Sequence, residues 1–238
     1  MVRQSYFLRP MKILRASLST FDPDTDLIVA IDVLLAFTTD SYLFNLGVPE
    51  IILVANVQEA FDLRKSLPDS LISGEVNGIK VPGFDLGNSP SVAVTQNLTG
   101  KRIIQRTSAG TQVVTLPSRA TTRIAASLTN LSATVRFIQK AAPATVTLLQ
   151  TGYFPQEGWG DEDVACAEAI EQTLTGYPVD WDILFQRVRQ SRSGLHFDGT
   201  RPDFPPEDLE MALVVDRFDF AMVIHPENGL HVMRTVAI

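Results

Sequence analysis

Leu27-Ile28-Val29-Ala30-Ile31-Asp32-Val33 is the stretch on which the fold turns. Aliphatic residues run unbroken until a carboxylate interrupts them, the pattern of a strand buried on both faces. Such strands belong to sheets covered by helices on either side. Working outward, a helix is predicted over residues 38–45, closed by Gly47, and then a second apolar run, Glu50-Ile51-Ile52-Leu53-Val54. Asn56 suits the N-cap of a helix carrying Glu59, Ala60 and Leu63. The alternation continues with strands over 101–105, 120–127 and 144–150 and helices over 130–140, 161–175, 181–192 and 207–216. Residues 220–224 and 230–236 read as a closing strand pair around Pro226-Glu227-Asn228-Gly229. The N-terminal segment is expected to form a strand or arm, residues 74–90 a long structured loop, and residues 193–206 a hinge-like loop. The expected fold class is α/β, a three-layer α/β/α arrangement with a mixed, largely parallel sheet. It is a single domain over residues 1–238, with two lobes meeting near 150–160 as the alternative division.

The chain has 238 residues, 45% of them hydrophobic and 20% charged, which excludes wholesale disorder. Its net charge of −7 argues against a general nucleic-acid or anionic-membrane binder, but a small anionic substrate needs only a local site. The charge is uneven: residues 157–171 carry six acids and no base, and residues 203–219 six acids and one base. The first twenty residues instead hold Arg3, Arg9, Lys12 and Arg15 with no acid, but no continuous apolar core of a targeting segment. No apolar run approaches the roughly 20 residues of a bilayer span. A single cysteine, Cys166, can form no internal disulfide, so the reducing cytoplasm is the expected compartment. His196, His225 and His231 lack metal-ligand spacing.

Four places set polar residues at strand ends, where ligands of α/β proteins bind. Asp32 is one: a buried carboxylate must be paired, hydrogen-bonded or metal-bound, or else cap the next helix. Gly74-Glu75-Val76-Asn77-Gly78 and Gly83-Phe84-Asp85-Leu86-Gly87-Asn88-Ser89-Pro90 form the second. There Glu75 and Asp85 suit a hard cation while Asn88 and Ser89 suit phosphate oxygens, the alternative being a self-satisfied turn. Third is Arg106-Thr107-Ser108-Ala109-Gly110-Thr111, an anion cradle or an ordinary helix cap. Fourth is Gly160-Asp161-Glu162-Asp163, whose acids either ligate a cation or complement a helix dipole.

In this order the motifs resemble the 2-phosphosulfolactate phosphatase family, whose members carry I-D-V-L-R-A-T-T-T, G-E-R-N-G, F-D-L-G-N-S-P, T-T-N-G-T and a late acidic helix start. The matching stretches are residues 31–39, 74–78, 84–90, 107–111 and 160–163, and the likeness covers about 27–175. Phe84-Asp85-Leu86-Gly87-Asn88-Ser89-Pro90 matches throughout. Leu35 and Val76 stand where the family has arginines, and Ala109 where it has asparagine. The resemblance implies a Mg2+-dependent phosphatase acting on a small anionic phosphate monoester, with no nucleic acid or membrane as partner and a homodimer left open. It implies catalytic roles for Asp32, Glu75 and Asp85, and metal-ligand roles for Asp32, Asp161, Glu162 and Asp163. Substrate would be met by Asn77, Gly87, Asn88, Ser89, Arg106, Thr107, Ser108, Gly110 and Thr111. The rival expectation is a catalytically impaired homologue that binds a small ligand or a protein partner, favoured by Leu35, Val76 and Ala109.

Overall fold

The structure, a computed structural model, describes residues 11–238, so Arg3 and Arg9 of the basic N-terminal segment lie outside the described residues. The elements run β1 (Lys12–Ser17), β2 (Leu27–Ile31), α1 (Ala36–Asn45), β3 (Ile51–Leu53), α2 (Val57–Ser66), β4 (Leu71–Val76) and β5 (Ile79–Lys80). After them come α3 (Pro90–Ala93), β6 (Ile103–Arg106), β7 (Thr122–Ala126), α4 (Leu131–Ala141), β8 (Thr145–Gln150), α5 (Asp161–Thr175) and α6 (Trp181–Gln190). A short α7 (Pro206–Ala212) precedes the hairpin of β9 (Phe220–Glu227) and β10 (Leu230–Ala237). No helix among the described residues is long and apolar enough to cross a membrane.

The fold is α/β, with ten strands among the described residues in one mixed sheet ordered β1-β8-β2-β7-β9-β10-β3-β6-β4-β5. Five of the nine neighbouring pairs are parallel. As its composition demands, β2 is buried along its whole length. Leu27, Val29 and Ile31 pack under α4, α5 and α6, while Ile28 and Ala30 point the other way, towards α1.

Helix α1 is buried from Ala36 to Phe44, on all sides. Strands β2, β3, β6, β7, β8, β9 and β10 all send side chains into its apolar cluster, so the sheet wraps around it. The polar groups of a helix so placed must be satisfied internally. Thr38 Oγ1 donates to Val33 O at 2.8 Å and Ser41 Oγ to Phe37 O at 2.9 Å. The Gln105 amide donates to Asp40, whose carboxyl is driven well above its ordinary range by burial.

The strand order has a functional result. Three antiparallel pairings, β7–β9, β9–β10 and β10–β3, separate the two parallel sets of strands, which therefore run in opposite senses. In a flat sheet their carboxyl ends would lie on opposite edges. Twist accumulated over the strands between them turns the carboxyl ends of β2 and β8 to face those of β4 and β6, so that Asp32, Gly152, Glu75 and Ser108 line one cavity.

Two expectations need correction. Residues 74–90 are not all loop, because Gly74-Glu75-Val76 completes β4 and Asn77-Gly78 turns into β5. Asn77 and Gly78 have φ of 53° and 81°, the pairing of a tight hairpin turn. The glycine that disguised the strand is required there: at φ 132°, a Cβ on Gly74 would stand 1.8 Å from Arg106 O. The last helix stops at Ala212 instead of continuing to 216. Asp216 adopts a φ of 54° and turns its carboxylate to α4, accepting from Ser132 N–H and Ser132 Oγ–H at 2.6 Å each.

Candidate active site

Four carboxylates from three parts of the chain meet where the strand ends converge. Asp32 follows β2, Glu75 ends β4, and Glu162 and Asp163 lie in the first turn of α5; all four are at least 94% buried. They line one cavity of about 500 Å³, together with Asn77, Asn88 and Ser108.

Asp32 Oδ1 accepts the Ala36 N–H at 2.9 Å, so it does cap α1, and it faces the cavity as well. Burial pushes its pKa up to about 7; the Ala36 and Gly110 N–H groups oppose the rise, and Glu75 and Glu162 add to it. Gly110 is fixed by this approach, since a Cβ there would lie 2.9 Å from both Asp32 Oδ2 and the Ala36 Cβ.

Glu75 is held by its own hairpin and by the turn after β6. Its Oε1 accepts Ser108 N–H at 2.5 Å, and its Oε2 accepts Gly78 N–H at 2.5 Å and Ser108 Oγ–H at 3.1 Å. Arg106 does not reach the cavity: its Nη1 donates to Glu75 O at 2.8 Å and braces the strand end.

Asp163 joins three elements. Its Oδ1 accepts Val33 N–H at 2.9 Å and its Oδ2 accepts Gly152 N–H at 2.8 Å, tying α5 to the ends of β2 and β8. Burial first, then Asp32 and Glu162, raise its pKa well above the ordinary carboxylate range. The close approach needs Gly160, whose φ is 84° and whose hypothetical Cβ would sit 2.3 Å from Gly152 O. Glu162 is also raised by burial, with Ser193 and Ser191 opposing. Its Oε2 is buried and has no hydrogen-bond partner among the described residues.

Other residues singled out from the sequence stand apart from the cavity. Asp85 binds Arg64 Nη1 and Ile72 N–H, each at 2.8 Å, stapling its loop to α2 and β4. Asp161 turns to Arg187, with contacts of 2.6 and 2.8 Å. Ser89 caps α3, and Gly87 O accepts from Ser73 Oγ. Thr107 and Thr111 close on each other, Thr107 N–H to Thr111 Oγ1 at 2.9 Å and Thr111 N–H to Thr107 Oγ1 at 3.1 Å. They shape the turn that presents Ser108 and Gly110.

Sequence reasoning missed the aromatic wall. Phe154 and Trp159 come from the loop before α5, and His196, Phe197 and Phe204 from residues 193–206, which form a side of the cavity. Their rings pack edge to face: Trp159–His196 at 5.3 Å, His196–Phe204 at 4.9 Å and Phe197–Phe204 at 5.6 Å. Phe204 also reaches across to Gly78, where a Cβ would stand 2.7 Å from the ring. No local signal joins the two segments, since residues 193–206 follow α6 and reach the loop before α5 only in the fold.

Among the described residues no three Asp, Glu, His or Cys side chains are grouped so as to hold a metal ion by themselves. A magnesium ion typically takes only one or two carboxylates and fills its other positions with water and phosphate. Asp32 and Glu162 suit that role. The unpartnered Glu162 Oε2, and the burial and lesser carboxylate repulsion that raise Asp32, are what a cation would relieve. Both oxygens of Glu75 and of Asp163 are already committed to backbone donors.

Comparison with known proteins matches residues 15–191 to a family model described as 2-phosphosulpholactate phosphatase. A probable 2-phosphosulfolactate phosphatase of Bacillus subtilis strain 168 is 31% identical over 90% of this chain and 93% of its own length. A protein of the same description from Synechococcus sp. strain JA-2-3B'a(2-13) is 32% identical over 79% of this chain and 84% of its own. Another, from Carboxydothermus hydrogenoformans, reaches 42% over 48% of this chain and 47% of its own.

Proposed function

Since the chain belongs to the 2-phosphosulpholactate phosphatase family, we propose that it hydrolyses a small phosphate monoester with Mg2+ held by Asp32 and Glu162. The observation that carries this reading is the unpartnered, buried Glu162 Oε2 opening on the same cavity as Asp32, whose Oδ1 caps α1. When bound, Mg2+ supplies Lewis-acid neutralisation of charge on the phosphoryl oxygens. The Asn88 side chain lines the same cavity, where its amide N–H groups would donate to a phosphoryl oxygen. Asp163 and Glu75 are positioning residues: they fix the ends of β2, β8 and β6 and add negative field behind Asp32. In the reaction water supplies the new P–O bond, the ester P–O bond breaks, and an alcohol and inorganic phosphate leave. The cytoplasm is the proposed location, in keeping with the buried free thiol of Cys166.

The test is phosphate release from a panel of monoesters, 2-phosphosulfolactate included, with Mg2+ and with EDTA. Turnover that needs Mg2+ and falls roughly 100-fold or more in the Asp32→Asn variant is expected. Folded protein that turns over no ester in Mg2+ would move the chain to the non-catalytic reading.

A further inference from the structure

Five of the six acids in residues 203–219 are exposed, namely Asp203, Glu207, Glu210, Asp216 and Asp219. The sixth, Asp208 in the first turn of α7, is fully buried. Glu207 beside it already complements the helix N-terminus, so the dipole does not call for a second, interior carboxylate. Nor is a buried carboxylate a good device for stability, because the loss of water costs more than a few hydrogen bonds return. Burial raises its pKa, with Ser91 and Ser89 opposing. Asp208 lies beyond residues 15–191, the span of the family match, which therefore assigns it nothing.

What Asp208 touches is the stretch just after Asn88. Its Oδ1 accepts the Ser91 N–H at 2.8 Å, across 117 positions of sequence. Asn88 itself lies between two anchored segments. Before it, Gly74 N–H donates to Leu86 O at 3.2 Å and Ser73 Oγ–H to Gly87 O at 3.0 Å, so β4 fixes the chain as far as Gly87. After it, Ser89 caps α3, a helix of four residues that is too short to hold its own place. Pro90 and Ala93 are buried, but apolar contacts carry no direction. The hydrogen bond from Ser91 to Asp208 does, and it ties α3 to α7. We propose that Asp208 is a positioning residue: through Ser91 it sets the backbone that turns Asn88 into the cavity, and so governs how the Asn88 amide meets phosphate. The inference deepens the phosphatase reading and rests on it for the role of Asn88.

The test is a double-mutant cycle between Asp208→Ala and Asn88→Ala. It is read as the Kd of inorganic phosphate, titrated calorimetrically in Mg2+, and as kcat/KM for the best ester of the panel. Each single variant is expected to weaken phosphate binding and lower kcat/KM roughly tenfold. The double variant should stay within about threefold of Asn88→Ala alone, because Asp208 acts through Asn88. Asp208→Asn keeps an acceptor for the Ser91 N–H and should return both quantities to within about threefold of wild type. A purely structural role would lower the melting temperature and leave the Kd of the folded protein untouched. Asp208→Leu, which fills the same space without an acceptor, replaces Asp208→Ala if that protein fails to fold. Wild-type Kd and kcat/KM in either folded variant overturn the inference and leave the phosphatase reading standing, as does a double variant in which the two losses multiply. Coupled losses in phosphate binding with no ester turned over uphold the inference and remove the hydrolysis. No phosphate bound by the wild type overturns both.

Discussion

Replacing Asp32 by Asn tests the electrostatics of the site without needing a substrate. In the folded protein its carboxyl titrates near 7, against an ordinary value of 3.8. The folded state therefore keeps a proton that the unfolded chain has released, and wild-type stability falls as pH rises from about 4 and levels off above about 7. At about 1.4 kcal/mol per pH unit, the full cost of ionising Asp32 is on the order of 4 kcal/mol, and about 2.5 kcal/mol of it accrues between pH 5 and pH 8. Asparagine does not titrate there. Its Oδ1 can keep the Ala36 N–H bond while its amide nitrogen faces Gly110 in place of Oδ2, a pH-independent loss of about 1 kcal/mol. Removing the charge also relieves Asp163, which Asp32 raises, so the second effect has the same sign. Urea unfolding in EDTA should therefore show the stability of Asp32→Asn relative to wild type improving by about 2.5 kcal/mol between pH 5 and pH 8. A gap that stays constant would refute the reasoning, because it would mean that Asp32 ionises as easily folded as unfolded. Saturating Mg2+ at pH 8 should recover most of the wild-type loss and do little for the variant.

Gly110→Ala places a methyl group against Asp32 Oδ2 and the Ala36 Cβ, so thermal unfolding should show a loss of about 1–3 kcal/mol, with phosphate release falling alongside. Asp161→Asn removes a half-exposed partner of Arg187 and should cost under about 1 kcal/mol. Its Mg2+ activation curve should match that of wild type; a shifted curve would return Asp161 to the metal site.

The strands were legible because burial on two faces leaves continuous aliphatic runs, as in β2, and α5 because acids begin it and Gly176 ends it. β4 was not, because Gly74 is demanded by a backbone approach from Arg106 that only the neighbouring strand creates. The wrapping of the sheet around α1 was also hidden: a helix buried on every side has no polar stripe to announce its surroundings. At the site, Asp32, Glu75, Glu162, Asp163, Asn77, Asn88 and Ser108 were named from sequence and line the cavity. Asp85 and Asp161 have the same chemistry, but nearby arginines claim them, and a pairing between Arg187 and Asp161 26 positions away leaves no local trace. The aromatic wall was unreadable for the same reason, as residues 154–159 and 196–204 meet only after α5 and α6 fold back.

In the proposed reaction Asp32 and Glu162 hold the cation on which phosphoryl transfer to water depends. Anomalous diffraction from crystals grown with Mn2+ and inorganic phosphate tests it directly. One Mn2+ peak coordinated by oxygens of Asp32 and Glu162, with the phosphate beside Asn88, is the expected result. A peak at Asp161 or Asp85 with none at Asp32, or phosphate bound with no cation in the cavity, would contradict it.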